Sequence, residues 1–67
     1  MREAKWYAVM KDENDTDWGY GSFRKKEAAK MVRDLKKKGY DNAYIEVVIT
    51  IDGIGTCVEK IYDVKGL

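Results

Sequence analysis

The sequence contains no histidine, no proline and a single cysteine among its 67 residues. Without histidine it lacks the usual general base and the commonest metal ligand of proteins. The lone thiol, Cys57, excludes an intramolecular disulfide and a cysteine-rich zinc site. No serine or cysteine stands beside a plausible base. We therefore expect a protein that is not an enzyme and that holds no metal and no cofactor.

Long apolar stretches are absent as well. No run approaches the roughly 20 residues that a membrane-spanning helix needs, and the start, MREAKW, has no apolar segment typical of a signal peptide. An unpaired thiol fits a reducing compartment. The sequence predicts a cytoplasmic protein with no membrane partner and no evident small-molecule ligand. Its length corresponds to one domain over residues 1–67, close to the lower limit for a self-sufficient core.

A helix over residues 24–38 is the clearest element in the sequence. Its apolar residues recur at helical spacing on one face: Ala28, Met31, Val32 and Leu35. Four cations fall on the opposite face: Lys26, Lys30, Arg33 and Lys37. Arg24 or Ser22 is the candidate N-cap, and Gly39 fits the left-handed position after the helix, with Leu35 and Tyr40 as the apolar pair of a Schellman motif.

Four strands are predicted around this helix. Two precede it, at Lys5–Lys11 and Trp18–Phe23, and two follow it, at Tyr44–Ile51 and Thr56–Val64. Tyr44–Ile51 alternates strictly, so one face is expected to be buried: Ile45, Val47, Ile49 and Ile51. The fold class is thus α+β, a two-layer β-β-α-β-β domain with one helix on one face of a mostly antiparallel sheet.

The turn between the last two strands leaves their register open. Asp52-Gly53 is a strong hairpin signal. With a two-residue loop Val47 would face Val58, whereas with the four-residue loop DGIG Ile49 would face it.

The helical segment also concentrates the positive charge of the chain. Residues 24–38 contain eight Lys or Arg and two acidic residues, a net charge of +6, so the remainder must sum to −5 because the formal total is +1. The stripe Lys26, Lys30, Arg33 and Lys37 could meet phosphates or an acidic protein surface. The alternative is an ordinary solvated helix face.

Aromatic residues form a second candidate binding surface. If Trp6, Trp18 and Tyr20 lie on the sheet face without a helix, they make an apolar patch for a protein partner or stack unpaired bases. Alternatively, the tryptophans fill a minimal core.

The acidic segment Asp12–Asp17 is a third feature. Its start resembles a calcium loop, but Asp17 stands where that loop needs glycine and Phe23 where it needs glutamate. An exposed hairpin loop, available to a cationic partner, fits better.

Two resemblances follow from these residues. Gly21-Ser22-Phe23 followed by Glu27-Ala28-Ala29 resembles the strand-to-helix junction of AP2-type and phage-integrase arm-binding domains, which implies DNA reading by a three-stranded sheet on one helix. That family has three strands before its helix where two are predicted here, so no base-contacting residue is carried over. The wider pattern WYAV, DTDWGxGS and Glu27-Ala28 is similar to small uncharacterised proteins of Firmicutes and their mobile elements, and this resemblance implies no activity.

The functional expectation is a small protein–protein interaction module whose partner is another protein or, in a homodimer, a second copy of the chain. The alternative is a nucleic-acid-binding domain that uses the basic helix face or the aromatic sheet face.

Overall fold

The computed structural model describes residues 2–67 and contains one helix and four strands in this part of the chain. The elements are β1 (Arg2–Lys11), β2 (Asp17–Ser22), α1 (Lys25–Lys37), β3 (Tyr44–Ile51) and β4 (Ile54–Ile61). The strands form one sheet in the order β2-β1-β3-β4, and all neighbours are antiparallel. The helix packs on one face, against β1, β2 and β3. This confirms the α+β class and the β-β-α-β-β order.

β2 lies one residue earlier than predicted, at Asp17–Ser22 instead of Trp18–Phe23, and two other strands differ by more than one residue. β1 begins at Arg2 rather than at Lys5, because the long central strand β3 pairs with these polar residues while their side chains stay at the surface. β4 occupies Ile54–Ile61 rather than Thr56–Val64. After Ile61 the chain leaves the sheet and returns to the helix, so Val64 is buried without being in a strand.

The hairpin turn explains the shifted β4. Asp52 and Gly53 have φ values of 51° and 82°, the two positive values that a type I′ turn requires. This two-residue loop pairs Ile51 with Ile54. Farther along, a bulge falls at Val58, so Val47 pairs with Glu59 and not with Val58. The two-residue alternative is therefore correct next to the turn, but the bulge changes the pairing of Val47.

Small side chains bring the helix close to the sheet. Three alanines are completely buried between the helix and the sheet: Ala8 of β1 and Ala28 and Ala29 of α1. Val32 and Ile45 are the largest side chains that are fully buried. Close packing of this kind gains dispersion energy over many contacts, which matters in a domain with so little interior.

The two helix ends are fixed differently. Arg24 is the N-cap, as one of the two alternatives predicted, but its side chain makes no capping bond. Instead the Ser22 hydroxyl accepts a hydrogen bond from the Arg24 N–H at 3.1 Å and donates one to Glu27 Oε2 at 2.5 Å. The hydroxyl thus ties the end of β2 to the first turn of α1.

The C-terminal end has the predicted Schellman motif. Gly39 has a φ of 105°, its N–H donates to the Lys36 carbonyl, and the Tyr40 N–H donates to the Leu35 carbonyl, both at 3.1 Å.

Candidate interaction surfaces

The aromatic residues predicted as a patch lie on the helix side of the sheet. Tyr20 pairs with Ala8 and Trp18 with Met10, and Trp6 shares this face because side chains alternate along β1. Trp6 is half-buried against the core, whereas Trp18 and Tyr20 are 51% and 55% exposed. The condition for an aromatic patch on the open face is therefore not met, and of the two tryptophans Trp6 packs against the core. The helix covers the face that carries Ala8, because a small side chain at this position lets the helix approach the sheet. Trp6, Trp18 and Tyr20 share that face.

Three tyrosines occupy the open face instead. Tyr44 and Tyr62 have ring centroids 4.9 Å apart with planes tilted by 32°. Lys60 Nζ lies 5.7 Å from the centroid of Tyr44, and Lys5 Nζ lies 5.2 Å from that of Tyr7. Burial raises the pKa of the Tyr44 hydroxyl. These tyrosines were not predicted to form a surface, although the alternation of β1 and β3 separates Tyr7 and Tyr44 from the residues that lie beneath the helix.

Gly21 makes room for part of that face. A Cβ placed on Gly21 would collide with the side chains of Lys5 and Tyr7, whereas one on Gly19 would make only ordinary contacts at 3.8 Å. Tyr7 therefore covers the edge strand β2 only because position 21 has no side chain.

Asp12 organises the acidic loop. Its Oδ1 accepts hydrogen bonds from the Asn14 and Thr16 N–H groups, both at 2.9 Å, and its Oδ2 accepts one from the Trp18 indole at 2.7 Å. The indole bond is the main cause of a lowered pKa for this carboxyl. Lys11 Nζ contacts Asp15 Oδ1 at 3.3 Å, and this hydrogen bond raises the pKa of Lys11. Within residues 2–67 no group of histidine, cysteine or carboxylate side chains could hold a metal ion.

The predicted basic stripe is divided in two by the fold. Lys26, Lys30 and Lys37 are exposed, and none of them forms an ion pair within the described residues. Arg33 is half-buried, and its Nη1 donates to the main-chain oxygens of Val64 at 3.4 Å and Leu67 at 3.2 Å. Arg33 thus holds the C-terminal segment against the helix and is engaged within the chain.

An apolar surface remains uncovered on the hairpin. We define the hairpin surface as Ile49, Ile51, Ile54 and Val58, which line one shallow depression on the helix side of β3 and β4. Ile51, Ile54 and Val58 are 53%, 72% and 58% exposed. The prediction that this whole face is buried is therefore wrong at Ile51, and Ile49 is only half-buried, because α1 covers only the part of β3 that contains Ile45 and Val47.

The hairpin surface borders an unpaired strand edge. β4 pairs with β3 only, so its other side faces outward. All its residues from Ile54 to Lys60 are exposed. An open strand edge beside exposed apolar side chains is the arrangement that other chains add to.

No helix within the described part of the chain is long and apolar enough to cross a membrane.

No protein-family model matches the chain, and no curated protein or solved structure is significantly similar to it. The surfaces themselves therefore carry the functional inference.

Proposed function

We propose that this chain is a non-enzymatic protein–protein interaction module, and that it binds its partner through the hairpin surface and the open edge of β4. The observation that carries the proposal is the exposure of Ile51, Ile54 and Val58, each by more than half, beside an unpaired strand edge. Single exposed apolar residues are normal on proteins, but a contiguous group marks an interaction site.

The chemistry of this surface favours a macromolecular partner over a small molecule. The depression is shallow, and its lining is apolar except for Arg2, Asp52 and Thr56. Small-molecule sites are usually concave and bury most of their ligand. A strand edge, in contrast, offers a row of backbone donors and acceptors that suits another polypeptide. We place the protein in the cytoplasm, since the exposed Cys57 thiol fits a reducing compartment.

Site-specific photo-crosslinking tests the proposal. A benzoylphenylalanine introduced at Val58 is expected to form an adduct with a polypeptide when the protein is expressed in its native cells. The matched control carries the same group at Lys30, on the outer helix face, where we expect no protein adduct. Both positions are exposed, so neither substitution disturbs the core. Absence of any polypeptide adduct at position 58 contradicts the proposal.

A second candidate function is binding of single-stranded nucleic acid. Two observations favour it: the exposed lysines Lys26, Lys30 and Lys37 have no acidic partner within residues 2–67, and the open face combines tyrosines with Lys5 and Lys60. Tyrosine rings on a sheet stack bases, and lysines neutralise phosphates. Three or four such contacts give only weak, salt-sensitive affinity.

Binding of labelled oligonucleotides shows whether the basic helix face or the aromatic sheet face is used. At low salt, the triple change of Lys26, Lys30 and Lys37 to Glu abolishes binding if the helix is used, and Tyr44→Ala abolishes it if the sheet is used. No binding by the wild-type chain at 50 mM salt, a concentration at which phosphate contacts are strong, excludes this function.

A further inference from the structure

We infer that the partner of the hairpin surface is a second copy of this chain, joined to the first by antiparallel pairing of the two β4 strands about a two-fold axis at Thr56. The inference rests on the proposed function and deepens it by naming the partner. It would extend the sheet through β4 of one copy into β4 of the other.

The backbone of β4 is suited to this pairing. In a two-residue hairpin the pair next to the turn, here Ile51–Ile54, exchanges both backbone hydrogen bonds, and such pairs then alternate along the ladder. Thr56, opposite Ile49, therefore bonds inward. Gly55 and Cys57 direct their N–H and C=O groups to the open edge. Around an axis at Thr56, Gly55 of one copy meets Cys57 of the other, so these four residues satisfy one another.

The side chains also match in this register. Ile54 of one copy comes opposite Val58 of the other, and Thr56 comes opposite itself. All three line the same depression, so they lie on the helix side of the sheet. The symmetric pairing therefore joins the two hairpin surfaces into one apolar area. A two-fold interface must be self-complementary in this way, with each contact made twice.

The charge pattern of β4 allows two copies of this strand to pair. Natural edge strands are usually protected by charged residues, proline or bulges. Residues 54–57 (IGTC) have none of these, since the bulge begins at Val58, and self-pairing meets no like-charge repulsion along residues 54–58. The charges of β4, Glu59 and Lys60, begin immediately after this segment.

Sedimentation of the purified chain tests the inference. The wild-type chain is expected to form dimers as its concentration is raised to about 1 mM, the range of weak association. Ile54→Lys and Val58→Glu each place a charge opposite an apolar residue of the other copy, so each variant alone should weaken self-association roughly tenfold or more. An equimolar mixture of the two should form a dimer again, because Lys at 54 then faces Glu at 58 while Val58 faces Ile54.

The controls show whether a loss of dimer results from the position of the new charge on β4 or from removing any exposed apolar side chain. Phe23→Lys makes the same kind of change at a side chain that is 66% exposed and distant from β4, and it should leave the dimer intact. Circular dichroism checks that each variant is folded. If one is not, the reversed pair, Ile54→Glu with Val58→Lys, repeats the experiment.

Each outcome of the sedimentation and crosslinking experiments either supports or overturns the dimer. A wild-type chain that stays monomeric overturns the inference, and so do single variants that still dimerise or a mixture that stays monomeric. If the chain is monomeric while position 58 crosslinks to a different polypeptide in cells, the dimer is wrong and the interaction module stands. If the chain is monomeric and no adduct forms, both proposals fail.

Discussion

Asp12 shows how one carboxylate can set the shape of a loop. It accepts hydrogen bonds from the backbone N–H groups of Asn14 and Thr16 and from the indole of Trp18, six residues farther along the chain. Composition alone marks this segment as a polar turn or a cation site. The structure shows that its leading carboxylate is already used in holding the β1–β2 connection together.

The lowered pKa of Asp12 leads to a pH-dependent prediction. Because the folded-state pKa lies below the ordinary value of 3.8, the stabilisation is present above that value and is lost as the pH falls through the lower, folded-state pKa. We expect the urea midpoint of the wild-type chain to fall in this acidic range, with a change in Trp18 fluorescence. Asp12→Asn should reduce the midpoint at neutral pH and flatten its acid dependence.

Glu13→Gln is the matched control, since Glu13 lies in the same loop and makes none of the three hydrogen bonds. Equal acid dependence in wild type and Asp12→Asn would contradict the assignment.

Gly39 is required for its backbone conformation and not for space. Its φ is 105°, and a Cβ there would touch nothing within 4 Å. Gly39→Ala should therefore destabilise the domain by about 1–2 kcal/mol, the cost of a left-handed conformation for a residue with a Cβ. Gly19→Ala, at a strand position with ordinary contacts, should be neutral or slightly stabilising. Urea unfolding compares the two, and equal effects would argue against a conformational cause.

At the scale of elements, the junction between β2 and α1 depends on one hydroxyl. Ser22 is buried and bonds to both the Arg24 N–H and the Glu27 carboxylate. Ser22→Ala should cost about 1 kcal/mol, as the loss of a helix cap does. Since Glu27 acts through the same hydroxyl, Glu27→Ala should cost much less in the Ser22→Ala background than in the wild type. Additive effects in this double-mutant cycle would show that the two residues act independently.

The contact between α1 and the C-terminal segment is the second junction between elements. Arg33 donates to the oxygens of Val64 and Leu67, and Lys36 Nζ donates to the Tyr62 carbonyl at 2.7 Å. Arg33→Gln should destabilise the domain by about 1 kcal/mol, the typical net value of a hydrogen bond. It should also speed amide hydrogen exchange in residues 62–67 while leaving β1 and β3 protected. Lys30→Gln removes a charge from the exposed face of the same helix. It should neither destabilise the domain nor speed hydrogen exchange in residues 62–67.

At the scale of the whole molecule, the order of elements was predictable because periodicity reports it directly. The helical spacing of Ala28, Val32 and Leu35 and the alternation in β3 are local properties of the sequence. Which face of the sheet the helix covers is not local, since Trp6 and Tyr7 belong to two faces that alternation treats equally. The choice is decided by packing, through the contact of Ala8 with the alanines of α1.

The candidate site was predictable only in part for the same reason. The alternation of β3 indicated burial of its whole apolar face, but the extent of coverage depends on where α1 ends and crosses the sheet. Ile51 is therefore exposed, although its spacing matches that of Ile45. Arg33 looked like its neighbours on the basic face, and only the path of residues 62–67 assigns it a different role.

The sheet order β2-β1-β3-β4 also has a kinetic consequence. The two outer pairings, β1 with β2 and β3 with β4, join strands that are neighbours in the sequence and can form in microseconds. The central pairing brings Arg2 to Ile51 and Val9 to Tyr44, so the chain must close a long loop before it gains these contacts. The seam between β1 and β3 is thus expected to limit the folding rate. Until it closes, the inner side of β3 is as open to other chains as the outer side of β4, and refolding yield should fall as chain concentration rises.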